Sequence, residues 1–265
     1  MEARRYFSLG LVLLCVVVFS GLAVSGKCLS ERCDGEQAIP QWDFILFVID
    51  WPQSFCMFFN ASQSSHSHEG CIVPKNVTKW TMHGTWPTKL GTEGPTSCNN
   101  TWTFDPDEIK DLIPEMTTRW PGLKIGVPAA SFWEHEWTKH GTCAASLPTL
   151  RGEHNYFGVS LKLIEKVDLF SVLSKAGIVP SDTKEYSYDD IMRAIQSGIG
   201  VDADLLCYQS TGNSYFRQYL MEVRICLNKS LQPMNCPETK WPLLKSAYED
   251  PCSRKAPIAL PVIKH

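Results

Sequence analysis

The sequence predicts an α+β fold, because helix-like runs lie between dispersed strand-like ones. Three patterns carry that reading. Phe44 to Ile49 is an unbroken apolar run rich in β-formers, as expected of a buried central strand. Asp105-Pro106-Asp107-Glu108 supplies an N-cap, a proline at the first helical position and first-turn acids, which opens a helix towards Met116. Val201 to Gln209 and Tyr219 to Leu227 alternate like strands and are expected to pair antiparallel. Between these, Tyr156 to Val167 reads as a second helix, and Ser187 caps a third that runs to Ile195.

The first 25 of the 265 residues read as a secretory signal. Arg4 and Arg5 precede an apolar stretch from Leu9 to Val24, and Ala23-Val24-Ser25 places small residues at the cleavage position. An uncleaved membrane anchor is the alternative, since the apolar run is long for a signal. Cysteine arithmetic favours cleavage. Of eleven cysteines Cys15 lies in the leader, and its loss leaves ten, an even number suited to five disulfides in an oxidising compartment. Asn-x-Ser/Thr sequons at Asn60, Asn76, Asn99 and Asn228 suit the same route. The chain ends Ile263-Lys264-His265 without a retention tail. The expectation is a secreted protein, or one delivered to a lysosome or other acidic compartment, with no membrane association once the signal is cleaved. Residues 26–265 show no repeat or linker and are read as a single domain.

The richest chemistry lies in Phe132-Trp133-Glu134-His135-Glu136-Trp137-Thr138-Lys139-His140-Gly141-Thr142-Cys143. On an α-helix with His135 at zero, Lys139 falls at about 40°, Phe132 at about 60°, Glu136 at about 100° and His140 at about 140°. One face would carry two imidazoles, a carboxylate, an ammonium and an aromatic ring, the parts for acid–base chemistry beside a charged transition state. A zinc protease motif would need its histidines four residues apart, whereas His135 and His140 are five apart. The spacing is consistent with an expectation of no metal and no cofactor. A solvated amphipathic helix remains the plain alternative for this segment taken alone.

A second segment, Trp80-Thr81-Met82-His83-Gly84-Thr85-Trp86-Pro87, alternates like a short strand ending at Trp86-Pro87. A lone strand histidine is more often a satisfied polar residue than a catalyst. Together, however, the two segments resemble the active-site segments of the ribonuclease T2 family of acid endoribonucleases. There the first reads hydrophobic-His-Gly-Leu-Trp-Pro and the second Phe-Trp-x-His-Glu-Trp-x-Lys-His-Gly-Thr-Cys. Phe132 through Cys143 match at every specified position, and the first segment departs only where Thr85 stands for leucine. The resemblance extends through Asp50-Trp51-Pro52 and the cysteine spacing.

That resemblance implies a disulfide-stabilised α+β fold with a central, mostly antiparallel sheet and helices packed on it. It implies the pairings Cys56–Cys71, Cys98–Cys143, Cys207–Cys252 and Cys226–Cys236, which leaves Cys28 to pair with Cys33. It implies a metal-free endoribonuclease acting on single-stranded RNA and not on DNA, as a monomer. By similarity, His140 is the base and His83 the acid, and His135 holds a phosphate oxygen. Lys139 offsets phosphoryl charge, and Glu136 orients its neighbours. Trp86 and Phe132 would offer stacking faces for bases, although core packing is an equal reading of Trp86.

Two further positions depart from the family pattern. Asp50 stands where glutamine is common, and Thr88 where aspartate is often used for base contacts, so an altered base preference is expected. Charge raises a separate question. Loss of Glu2, Arg4 and Arg5 with the signal leaves 23 basic and 27 acidic residues, net −4. Proteins that hold nucleic acid by a broad electrostatic footprint are usually basic. RNA is then expected in a local cleft, at a pH where seven histidines add positive charge. A secreted binding or signalling protein on the same scaffold is the other class of function. The joint presence of His83, His135, Glu136, Lys139 and His140 argues against a dead scaffold.

Overall fold

Phe44–Asp50 forms strand β1 with every residue buried, as its unbroken apolar run requires. The structure is a computed structural model that describes residues 39–63, 70–92, 94–210, 216–237 and 250–265. The expected signal, Cys28 and Cys33 lie outside the described residues. Pro52 then starts helix α1 (Pro52–Ser62), where its missing N–H costs nothing. Strand β2 (Thr81–Thr88) runs through Trp86-Pro87 rather than ending there. Asp105 does cap a turn, accepting from the Asp107 N–H, but the turn is a 3₁₀ segment at Pro106–Ile109. The α-helix restarts as α2 (Ile113–Arg119), because Pro114 has no N–H to continue the ladder.

The second motif folds as helix α3 (Ala129–Glu136), a turn of π-helix at Trp137–Gly141 and a short helix α4 (Thr142–Ala144). Helix α5 (Glu153–Val167) buries Tyr156, Phe157, Ser160, Leu161 and Ile164 along one side. Helix α6 (Leu169–Lys175) follows, then strand β3 (Glu185–Tyr186) and helix α7 (Tyr188–Ile199). Ser187 caps α7 by accepting from the Asp190 N–H, and Gly200 ends it at φ 89°, a left-handed turn that favours glycine. Strands β4 (Asp204–Ser210) and β5 (Arg217–Leu227) pair antiparallel as expected, and β6 (Pro233–Met234), β7 (Asp250–Pro251) and β8 (Ile258–Ala259) complete the sheet.

The main strand order is β2-β1-β5-β4-β7, with every pairing along it antiparallel. β8 adds the parallel pairing, to β5. The fold is thus α+β with a mostly antiparallel sheet. One sheet face carries the main core, where Ile45, Phe47, Ile49, Val223 and Ile225 meet Trp120, Trp133, Trp137, Tyr156 and Phe157 from the helices. The opposite face carries a smaller cluster of Phe44, Leu46, Val48 and Cys226.

Four disulfides join the pairs implied by the resemblance: Cys56–Cys71, Cys98–Cys143, Cys207–Cys252 and Cys226–Cys236. Cys98–Cys143 closes 45 residues and ties the loop after β2 to the end of the π turn. No helix among the described residues is long and apolar enough to cross a membrane.

Candidate active site

Register places the site before any side chain is considered. Asp50 on β1 lies opposite Thr81 on β2 and opposite Glu222 on β5. Val48 lies opposite Gly84 and Arg224. Directly paired residues share a sheet face, so Asp50, Glu222 and Arg224 project from one side. Between these pairs the register slips, because Ile49 faces Met82 while Val48 faces Gly84. His83 is the extra residue of this β-bulge, a device that re-aims one side chain out of the regular alternation.

The bulge delivers His83 into a cluster. Its Nδ1 sits 3.0 Å from Glu222 Oε2 and 3.4 Å from Asp50 Oδ2, and its side chain keeps 23% of its surface exposed. Glu222 is also paired within its strand to buried Arg224. The Arg224 guanidinium in turn lies 5.6 Å from the Trp86 ring centroid. Burial opposes charge on His83, but Asp50 and Glu222 outweigh it and hold the imidazole pKa well above its ordinary 6.5. Burial would raise both carboxyls. It prevails at Asp50, whereas Arg224 and His83 push Glu222 down.

The helical segment supplies the other half. Trp133 and Trp137 anchor it in the core, donating to the carbonyls of Trp120 at 2.8 Å and Trp102 at 3.1 Å. The 100° spacing assumed from sequence fails after Glu136. The Thr142 N–H reaches back to the Trp137 carbonyl, five residues away, so the chain widens into a π turn. Such a turn brings residues five apart towards one side, which narrows the angle expected between His135 and His140. Gly141 permits the turn to close, since a Cβ there would collide with the Trp137 ring.

His140 is buried and stacks on Trp86, with centroids 4.9 Å apart and ring planes at 22°. The Trp86 indole N–H donates to Glu136 Oε2 at 2.8 Å, and His83 meets the same indole edge-on at 4.8 Å. Trp86 thus joins the two histidine segments, and its ring is occupied by His83, His140 and Arg224. Gly84 lies beneath the Trp86–Glu136 bond, where a Cβ would strike both Trp86 Nε1 and Glu136 Oε2. Burial raises the Glu136 pKa to about 7, against the pull of His83 and the Trp86 hydrogen bond. Burial together with Lys139, His83 and His135 depresses His140 well below 6.5. Burial also lowers exposed-edge His135, helped by Lys139, His83 and Lys124.

A cleft of about 400 Å³ opens beside His83 and His135, walled by Phe55, Leu123, Lys124, Val127 and Phe132, with Asp50 in its floor. The Phe132 ring lies 5.9 Å from His83. Larger grooves exist near Tyr188 and Arg254, far from this chemistry. Of the sequence-predicted acid–base set, His83 and His135 line this cleft, Glu136 and His140 meet at Trp86 beside it, and Lys139 is near enough to act on the charge of His135 and His140. Glu222, Arg224 and Lys124 were missed. The first two sit in a strand recognised by its alternation, and only the β1–β5 register reveals that they face His83. Asp50, His83 and Glu222 place ligand atoms within 4.8 Å of one another, near enough to share a cation. The positive charge at this trio is supplied by Arg224 and the imidazole itself.

The departures from the motif also find physical partners. Thr85 is buried, and its hydroxyl meets Ser160 at 2.8 Å on α5. Thr88 turns its hydroxyl back to the Trp86 carbonyl at 3.0 Å rather than outward. Among the sequons, Asn60, Asn76 and Asn228 are exposed. Asn99 is buried, with its side-chain oxygen accepting from the Thr101 N–H and hydroxyl.

A bulged strand histidine and a π-turn histidine thus meet the same tryptophan on this disulfide-linked fold, beside an open cleft. Residues 42–236 match the model of the Ribonuclease T2 family. Ribonuclease Oy of Magallana gigas is 36% identical over 223 residues, which span 84% of this chain and 97% of that protein. The crystal structure of human RNase T2 superposes with a TM-score of 0.67 at 34% identity, covering 84% of this chain and all of that one. RNase NT, solved in complex with 5'-AMP, superposes with a TM-score of 0.68 at 28% identity, again over 84% of this chain and 100% of that one. The chain belongs to the ribonuclease T2 family and is an endoribonuclease of that type.

Proposed function

We propose that the protein cleaves single-stranded RNA without a metal, by transfer of the phosphodiester to the ribose 2'-oxygen followed by hydrolysis. His140 takes the proton of the 2'-hydroxyl as the O2'–P bond forms, and His83 gives a proton to the departing O5' as the P–O5' bond breaks. The 2',3'-cyclic phosphate is then opened by water with the two roles exchanged, leaving a 3'-phosphate. DNA lacks the nucleophile and is not cleaved. Lys139 offsets charge on the phosphoryl oxygens, and His135 at the cleft edge holds one of them. Glu136 fixes Trp86, and Trp86 fixes the face of His140. Phe132 stacks a base in the cleft, while Trp86 acts within the site instead of as an open stacking face.

The observation that carries this reading is the opposite tuning of the two histidines. A base must be neutral and an acid protonated at the start of the first step. His140 is held below 6.5 and His83 above it, so the resting enzyme is already in the required state near that pH. Reversed roles would require the scarce protonation state of both.

The leader, the exposed sequons at Asn60, Asn76 and Asn228 and the four disulfides support a secreted or lysosomal glycoprotein. Asn99 is buried, so its sequon is the least accessible of the four. We read the mature chain, 26–265, as one monomeric domain. Acidity adds histidine charge to a chain of net −4 and assists RNA binding.

The pH–rate profile tests the tuning. With excess EDTA, kcat/KM on RNA is expected to follow a bell. Its acid limb falls below pH 6.5, where His140 gains a proton, and its alkaline limb falls above 6.5, where His83 loses one. DNA should remain intact throughout. Activity that vanished in EDTA and returned with zinc would overturn the mechanism.

A further inference from the structure

We infer that Asp50 is a positioning residue for His83. With Glu222 it grips Nδ1 from two paired strands, leaves Nε2 as the nitrogen that meets the substrate, and keeps the imidazole poised to donate. This inference rests on the proposed role of His83 as the acid.

Three observations carry it. Asp50 and Glu222 are directly opposite in the β1–β5 register, so both carboxylates reach the bulged histidine from fixed backbone. Asp50 Oδ2 lies 3.4 Å from His83 Nδ1, while Oδ1 is buried without a hydrogen-bond partner among the described residues. A buried carboxylate so poorly satisfied is costly, and the imidazolium beside it offsets part of a cost in which burial still prevails. Finally, Glu222 already shares its charge with Arg224, so Asp50 adds an attraction that Glu222 alone does not supply.

Charges of both signs surround His83. From β5 come Glu222 and Arg224, and from the helical segment Glu136, His135, Lys139 and His140. Arg224 and Lys139, the standing cations among them, work against a proton on His83, and Asp50 counters them. Glutamine, the residue common here in the family pattern, would bring no charge. Asp50 therefore holds the acid form to higher pH than a neutral side chain would.

The test uses Asp50→Asn and Asp50→Gln in the complete secreted chain, with a dinucleoside phosphate as substrate from pH 4 to 9. The alkaline limb of kcat/KM should move down by about one unit, so that the ratio of activity on the descending limb, at pH 9, to that at pH 5 falls by up to about tenfold. The acid limb, set by His140, should stay in place, and the His83 ring proton should titrate at lower pH by NMR. An unmoved alkaline limb, or a loss confined to KM at every pH, would make Asp50 a base-contact residue and overturn the inference. His83→Ala separates the two layers. If that variant stays active, the acid assignment itself fails; if it is inactive while the Asp50 variants keep the native limb, only the positioning role fails. Asparagine is nearly isosteric and removes a poorly satisfied buried charge, and glutamine provides a second folded variant.

Discussion

Replacing His83 or His140 with Ala is expected to lower kcat for RNA cleavage by about 10²–10⁴-fold each, the usual contribution of a positioned acid or base. Each removes one of two proton transfers in the same step, so the double variant should lose little more than either single one. The two should differ in pH dependence. His140→Ala removes the acid limb, and His83→Ala removes the alkaline limb. His135→Ala should be milder and appear mainly in KM, because the ring stands at the cleft edge and its proposed role is phosphate contact. Single-turnover rates with folding checked by circular dichroism decide the matter. Near-native rates in either folded single variant would show that the roles are wrongly assigned.

Gly84→Ala should be the most damaging change outside the titrating residues. The new methyl group would collide with both partners of the Trp86–Glu136 hydrogen bond. Neither can retreat cheaply, since Trp86 is stacked on His140 and Glu136 is buried beside it. Overpacking of this kind costs about 1–3 kcal/mol of stability. Displacing His140 by even an ångström costs about 10²-fold in rate. Urea unfolding and kcat measured on the same preparation should both fall. A variant with native kcat would show that the tryptophan bridge does not align the base.

The sequence disclosed the strands and helices whose periodicity or caps were strong. Phe44–Asp50, the β4–β5 pair, α5 and α7 emerged close to their expected places. It also singled out two short segments through their resemblance to the family's motifs, and the fold brings His83, Glu136 and His140 of these together around Trp86. Three features were not legible, for distinct physical reasons. The π turn after Glu136 arises from tertiary demands, since two buried tryptophans and a disulfide at Cys143 fix the segment at both ends. The bulge at His83 depends on a partner strand more than thirty residues away. Glu222 and Arg224 looked like ordinary positions of an alternating strand until register set them beside the histidine. Trp86 illustrates a subtler limit: an exposed stacking face and a bridge between active segments are the same letter in sequence. Only its contacts with His140, Glu136 and Arg224 distinguish the two.

The central claim is that His140 and His83 move protons so that the RNA's own 2'-oxygen attacks phosphorus. Phosphorus NMR of an oligoribonucleotide during cleavage in EDTA tests this most directly, with one internal residue replaced by its 2'-deoxy analogue. A 2',3'-cyclic phosphate is expected to appear first and decay to a 3'-phosphate, with no scission on the 3' side of the deoxy residue. Products ending in 5'-phosphate, or cleavage at the deoxy position, would contradict it.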